Sequence, residues 1–140
     1  HKSSSIDTRT IEEVEEDLIP FKMAIDKGAS AIMISHNTVI AIDEDNPASI
    51  SINNHNYLRN ALNFKGMIIT DALNMGATAD IKDMGIKSIL AGNNILITKN
   101  FARDIEEIIG TVNNGTLSEY YLKELAIKVI AWKMQIGLVK

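Results

Sequence analysis

Cysteine is absent from the 140 residues. Its absence excludes a disulfide framework, a thiolate nucleophile and any zinc site built on Cys, and it leaves the compartment open, since such a chain suits either side of a membrane. No apolar run approaches the ~20 residues needed to cross a bilayer. The first residues, HKSSSIDTRT, also lack the apolar centre of a signal peptide. A membrane span is therefore not expected. Lys and Arg form no dense cluster, the net charge is −4 and the pI is near 5.3, so nucleic acid is not an expected partner. What is present is ordinary globular material: 46% hydrophobic and 23% charged residues exclude disorder by composition and fit one domain or a piece of one.

Thr10 and Glu13 stand at capping-box spacing, which predicts a helix from Ile11 to about Asp17. Pro20 has no N–H for an interior helical bond, so a second helix is expected to start there and run to Lys27, with Gly28 as its stop. Ala29 to Ser35 is continuously apolar rather than alternating, the pattern of a strand buried on both faces in a parallel sheet. The unit recurs. A helix is predicted over Tyr57 to Asn63, a stop at Lys65-Gly66, and a strand over Met67 to Thr70. A third copy places a helix over Ile81 to Leu90, Gly92 as its end, a strand over Ile95 to Thr98 and a helix over Ala102 to Thr111. A last helix is read from Ser118 to Gln135, closed by Gly137.

Helix, glycine, apolar strand and polar loop, repeated, is the rhythm of β/α units, which carry functional residues at strand C-terminal ends. His36, Asp71 and Lys99 fall there. The fold class expected is α/β, a partial (β/α)8 barrel of about three β/α units plus a C-terminal helix. Three parallel strands are too few to close a barrel, so the chain reads as incomplete.

Asp71 is the sharpest chemical signal, a carboxylate directly after a buried strand. Its position fits a substrate-facing residue, and equally one that caps the next turn. The segment from Gly66 to Met75, GMIITDALNM, resembles the nucleophile segment of glycoside hydrolase family 3, in the G-V-I-V-T-D-x-L-x-M form of its bacterial β-N-acetylhexosaminidases. The β-glucosidases of that family more often carry S-D-W at this point. The resemblance extends along the chain. Asp17-Leu18-Ile19-Pro20-Phe21 is similar to D-L-x-P-F, Gly28 to His36 to G-x-x-x-V-M-x-x-H, Asp45-Asn46-Pro47-Ala48 with Ser51 to D-x-x-x-P-A-T-L-S, and Leu58 to Gly66 to L-L-R-x-x-L-G-F-x-G.

The resemblance implies a retaining hydrolase that removes terminal β-linked N-acetylglucosamine through a covalent glycosyl-enzyme on Asp71. It implies a histidine as general acid/base, two residues after an aspartate on a mobile loop; His1 falls at that place, and is otherwise only a terminal residue. His36 matches a family histidine and is expected either in the sugar site or as a structural histidine below the cleft, while Met75 is a candidate subsite contact. His55 is expected in a solvated loop, and Met33 and Met67 in the core or the pocket wall. No cofactor and no metal is implied. Two departures stand out: the family's K-H-F-P-G-H-G segment does not occur here, and Asn94 stands where relatives carry Asp, a change expected to touch only structural hydrogen bonds.

The expected partner is a carbohydrate, an N-acetylglucosaminide from cell-wall or chitin material, in the cytoplasm or outside the membrane of a bacterium. Phosphate in place of water would make a phosphorylase of the same site. The rival reading is a non-catalytic half-barrel that self-associates through strand edges or awaits the missing N-terminal half of the barrel.

Overall fold

The computed structural model describes residues 5–78 and 80–140. Among the described residues there are five short strands and six α-helices, and the strands pair in parallel. The main sheet has the order β2-β4-β5, from Ala31–Ile34, Met67–Ala72 and Ile95–Ile97. A second pair joins β1, Ile6–Asp7, to β3, Thr38–Val39, in the register Ile6 to Thr38 and Asp7 to Val39. The sequence did not announce this pair, because two-residue strands are too short to show a period.

The local chemistry explains the helix boundaries. In α1, Ile11–Asp17, Thr10 Oγ1 accepts the Glu13 N–H at 3.4 Å and the Glu13 carboxylate accepts the Thr10 N–H at 2.9 Å, completing the capping box. Helix α2, Ile19–Asp26, holds Pro20 in its first turn, where no N–H is required. The next helical stretch begins earlier than expected: α3, Ile52–Asn56, is capped by Ser51 and passes into a π turn over Tyr57–Ala61. Helix α4, Met84–Ala91, starts later than its apolar pattern suggests, since Asp83 sits at φ 58°, a left-handed conformation that no helix continues through. Helices α5, Phe101–Asn113, and α6, Glu119–Gln135, follow β5.

The core lies between the strands and the helices. Leu58, Phe64 and Ile68 form one cluster, with Ile25, Ile32 and Ile34 against it, and Ile89, Leu117 and Leu125 form another. Ile68 is 0% exposed, whereas Met33 and Ile97, on neighbouring strands, are 59% and 43% exposed. Gly66 permits the sheet to close: a Cβ there would sit 2.4 Å from the Ser30 carbonyl oxygen and 2.6 Å from the Phe64 ring. Arg59 ties the same corner, donating to the carbonyls of Phe64 at 3.0 Å and Gly66 at 2.7 Å and to Asn94 Oδ1 at 3.2 Å. Asn94 Oδ1 also accepts the Ile68 N–H at 2.9 Å, which is the structural hydrogen bonding expected of it.

Candidate active site

Asp71 lies at the C-terminal end of β4, the central strand, and its side chain is half-buried. The strand is irregular at this point. Ile69 pairs with Ile95 and Ala72 with Ile97, so Thr70 and Asp71 together oppose a single residue of β5. Such a bulge bends the strand and re-aims the side chains it carries. The fully buried Thr70 fills the gap in the ladder, its Oγ1 accepting the Ile97 N–H at 3.0 Å. Asp71 is thereby released from strict alternation, and its Oδ1 accepts the Ala72 N–H at 2.7 Å. That bond fixes the direction of the carboxylate relative to the turn that follows it.

The turn after Asp71 is knitted from within. The Met75 N–H donates to the Ala72 carbonyl at 3.1 Å, and the buried Thr78 hydroxyl lies 2.7 Å from the Leu73 carbonyl and 2.9 Å from that of Met75. Met75 is half-buried in this turn, and its backbone rather than its thioether makes these bonds. Lys99 follows β5 as an exposed residue, and its N–H donates to Asn74 Oδ1 at 3.3 Å. The strand ends therefore bring Asp71, Met75 and the Lys99 backbone into one region. His1 lies outside the described residues.

His36 follows β2 and is 4% exposed. Its Nδ1 lies 2.7 Å from Ser49 Oγ and its Nε2 3.1 Å from the Ala72 carbonyl oxygen. It thus reaches the Asp71 turn from below. The loop between β3 and α3 forms the floor, and Asp43, not Asp45, organises it: its carboxylate accepts the Ser51 hydroxyl at 2.6 Å and the Asp45 and Asn46 N–H groups at 3.1 Å. Burial would raise the Asp43 pKa, but these bonds outweigh it and hold the group below the ordinary carboxylate range. The segment that resembles the family loop starts at Asp45. An Asp two residues earlier is what caps the turn in three dimensions.

His55 requires a correction. Expected in a solvated loop, it sits inside α3 at 3% exposure, with Nδ1 2.8 Å from the Ser51 carbonyl. Burial pushes its pKa down, against smaller opposing effects of the Ser51 carbonyl and the Asn93 side chain, and the Arg59 charge adds to the fall. Neither His55 Nε2 nor Asn93 Oδ1 makes a hydrogen bond of ordinary geometry. Asn93, 1% exposed, donates from Nδ2 to the Ser49 carbonyl at 2.8 Å and to the Ser88 carbonyl at 2.7 Å. Ser49, Thr70, Thr78 and Asn93 are the supporting residues that sequence reasoning missed. For Ser49 and Thr78 the available signal was a small polar residue between apolar neighbours; Asn93 and Thr70 carried none.

A concavity of about 400 Å³ opens beside the Asp71 turn, lined by Asn74, Thr78, Thr98, Arg103, Asp104 and Glu107 among others, and Asp71 is not part of its wall. Its buried acid is already satisfied, since Asp104 accepts the Thr98 hydroxyl at 2.6 Å and an Arg103 N–H at 3.1 Å. Among the described residues no group of three or more His, Asp or Glu side chains is arranged to hold a metal ion. The chemistry available at the strand ends is that of an oriented, solvent-accessible carboxylate.

Residues 1–131 match the Glycosyl hydrolase family 3 N terminal domain, and the chain belongs to that family. Within it, the chain is 35% identical over 114 residues to a β-hexosaminidase of Nitrosomonas eutropha, covering 78% of this chain and 32% of the relative. It is 28% identical over 140 residues to a β-hexosaminidase of Actinobacillus pleuropneumoniae, covering 94% and 41%. A family 3 β-N-acetylglucosaminidase from Paenibacillus sp. superposes with a TM-score of 0.89 at 24% identity, over 98% of this chain and 28% of that one. A β-glucoside phosphorylase superposes at 0.86 with 23% identity, over 97% and 27%. At these identities the superpositions speak for the fold. The chain spans 32% and 41% of the length of the two curated relatives.

Proposed function

We propose that this chain supplies the nucleophile end of a retaining glycosidase that removes terminal β-linked N-acetylglucosamine, with Asp71 as the nucleophile. The carrying observation is the placement of Asp71: half-buried at a bulge on the central strand, its carboxylate held by the Ala72 N–H. The identity to β-hexosaminidases supports the choice of sugar. On this reading the chain forms about three β/α units of a (β/α)8 barrel. Further strands of the same domain cover the face that carries Met33 and Ile97, and this chain alone is inactive.

In the first step an Asp71 carboxylate oxygen bonds to the anomeric carbon as the bond to the leaving oxygen breaks, and an imidazolium, assigned to His1, gives that oxygen its proton. In the second, water attacks the anomeric carbon, the neutral imidazole takes its proton, and the ester to Asp71 breaks. A histidine with an unperturbed pKa near ~6.5 suits both duties. In one variant of this reading phosphate replaces water and the product is a sugar phosphate, since a neutral imidazole repels an anionic acceptor less than a carboxylate would.

The test uses the full-length protein that carries this chain, with a nitrophenyl N-acetyl-β-glucosaminide as substrate. Asp71→Ala should lower kcat by about three orders of magnitude or more, as expected for a covalent nucleophile. Mass spectrometry of the denatured wild-type intermediate should place the sugar on the peptide containing Asp71. Near-native turnover by the variant would overturn the assignment.

A further inference from the structure

The two ring nitrogens of His36 face partners of different kinds. The Ala72 carbonyl oxygen has no proton to give, so the contact at 3.1 Å places the proton on Nε2. In that tautomer Nδ1 is the acceptor, and the Ser49 hydroxyl, 2.7 Å away and fully buried, donates to it. Ser49 is itself fixed by its backbone. Its N–H donates to the Ser35 carbonyl at 3.0 Å, and its carbonyl accepts Asn93 Nδ2 at 2.8 Å. A buried polar chain thus runs from Asn93 through Ser49 and His36 to Ala72. At its end the Ala72 carbonyl receives two donors, His36 Nε2 and the Met75 N–H, while the Ala72 N–H holds the Asp71 carboxylate.

We propose that His36 is a positioning residue for Asp71, acting through the Ala72 carbonyl, with Ser49 selecting the ring tautomer that this requires. The inference rests on the reading of Asp71 as nucleophile. His36 fixes the turn from beneath, so that the amide orienting the carboxylate keeps its direction while the carboxylate meets the anomeric carbon. A buried donor aimed at a carbonyl within the protein has nothing left on that nitrogen for a sugar hydroxyl. Its contribution therefore belongs to alignment in the reacting complex rather than to ground-state binding.

Two measurements test this, one independent of activity. Nitrogen-edited NMR of the imidazole in the full-length protein should show the Nε2–H tautomer for His36, and Ser49→Ala should turn it into a mixture. In steady-state hydrolysis of the nitrophenyl substrate, His36→Ala should lower kcat by about 10²-fold with KM changed by less than about threefold, the signature of misalignment rather than lost binding. His36→Gln, whose amide nitrogen reaches the place of Nε2, should recover about tenfold of that loss. A wild-type Nδ1–H tautomer would refute the proposal, as would a His36→Gln enzyme whose defect lies in KM. Should His36→Ala not fold, the glutamine variant and the tautomer decide the matter. An active Asp71→Ala enzyme would overturn the nucleophile assignment and with it the positioning role, and would leave the tautomer result standing, so the two failures are told apart.

Discussion

The two faces of the β2-β4-β5 sheet are made from the same three short strands and are treated oppositely. Toward the helices, Ile68 and Thr70 are fully buried, and Phe64, Leu58 and Ile32 belong to the cluster around Ile68. On the other face Met33 and Ile97 stand largely in solvent, although both belong to runs as apolar as any in the chain. Continuous apolarity predicts cover on both faces, and among the described residues one of the two is covered. The lesson is that a strand's apolarity does not tell which of its faces the folded chain covers.

That asymmetry can be broken most sharply on the closed face. Phe64→Ala removes a ring that is 1% exposed, and the Arg59 guanidinium lies 5.4 Å from its centroid. Urea unfolding should show a loss of about 3–5 kcal/mol, in the range for buried aromatic truncation. A loss below about 1 kcal/mol would mean that the helix-facing core is not as closed as described.

The polar floor beneath the sheet should answer to pH. His55 has its pKa lowered in the folded protein, chiefly by burial, so the unfolded chain takes up its proton first as pH falls. Its contribution is fully present above the ordinary imidazole value, and stability is lost as pH drops below it until the lowered folded value is passed. His55→Asn, which keeps a donor near Nδ1 for the Ser51 carbonyl, should flatten the dependence of the urea midpoint between about pH 7 and pH 5. An unchanged slope would assign the pH response to another group.

The smallest effect belongs to the open face. Met33→Ser in this chain alone should change stability by no more than about 0.5 kcal/mol, as for an exposed position. The same substitution in the full-length protein should cost about 2 kcal/mol or more if further strands cover Met33 as proposed. Equal, small effects in both contexts would remove the covering strands from the account. A large effect in the short chain, with a dependence on protein concentration, would favour self-association through this face.

Most of the scaffold was legible because its signals are local. Apolar runs that follow Gly28, Gly66 and Gly92 marked the strands, and Thr10 with Glu13 marked a helix start that the hydrogen bonds reproduce. Asp71 was legible from its place after a strand. The support beneath it was not, because its contacts join distant residues: His36 to Ala72 spans 36 positions and Asn93 to Ser49 spans 44. The bulge at Thr70 and Asp71 depends on cross-strand register, which no single strand displays. His55 was misread on a shorter scale, since the partner it turns toward is one helical turn away. A histidine among asparagines looks solvated until α3 turns it inward against Ser51.

The β1–β3 pair has one more effect. Ser5 is fastened to the residue after His36, its hydroxyl donating to Asn37 Oδ1 at 2.6 Å and its carbonyl accepting the Thr38 N–H at 3.0 Å. These two bonds close a loop spanning 32 positions, so α1, α2 and β2 are held at both ends rather than hanging from the sheet by one.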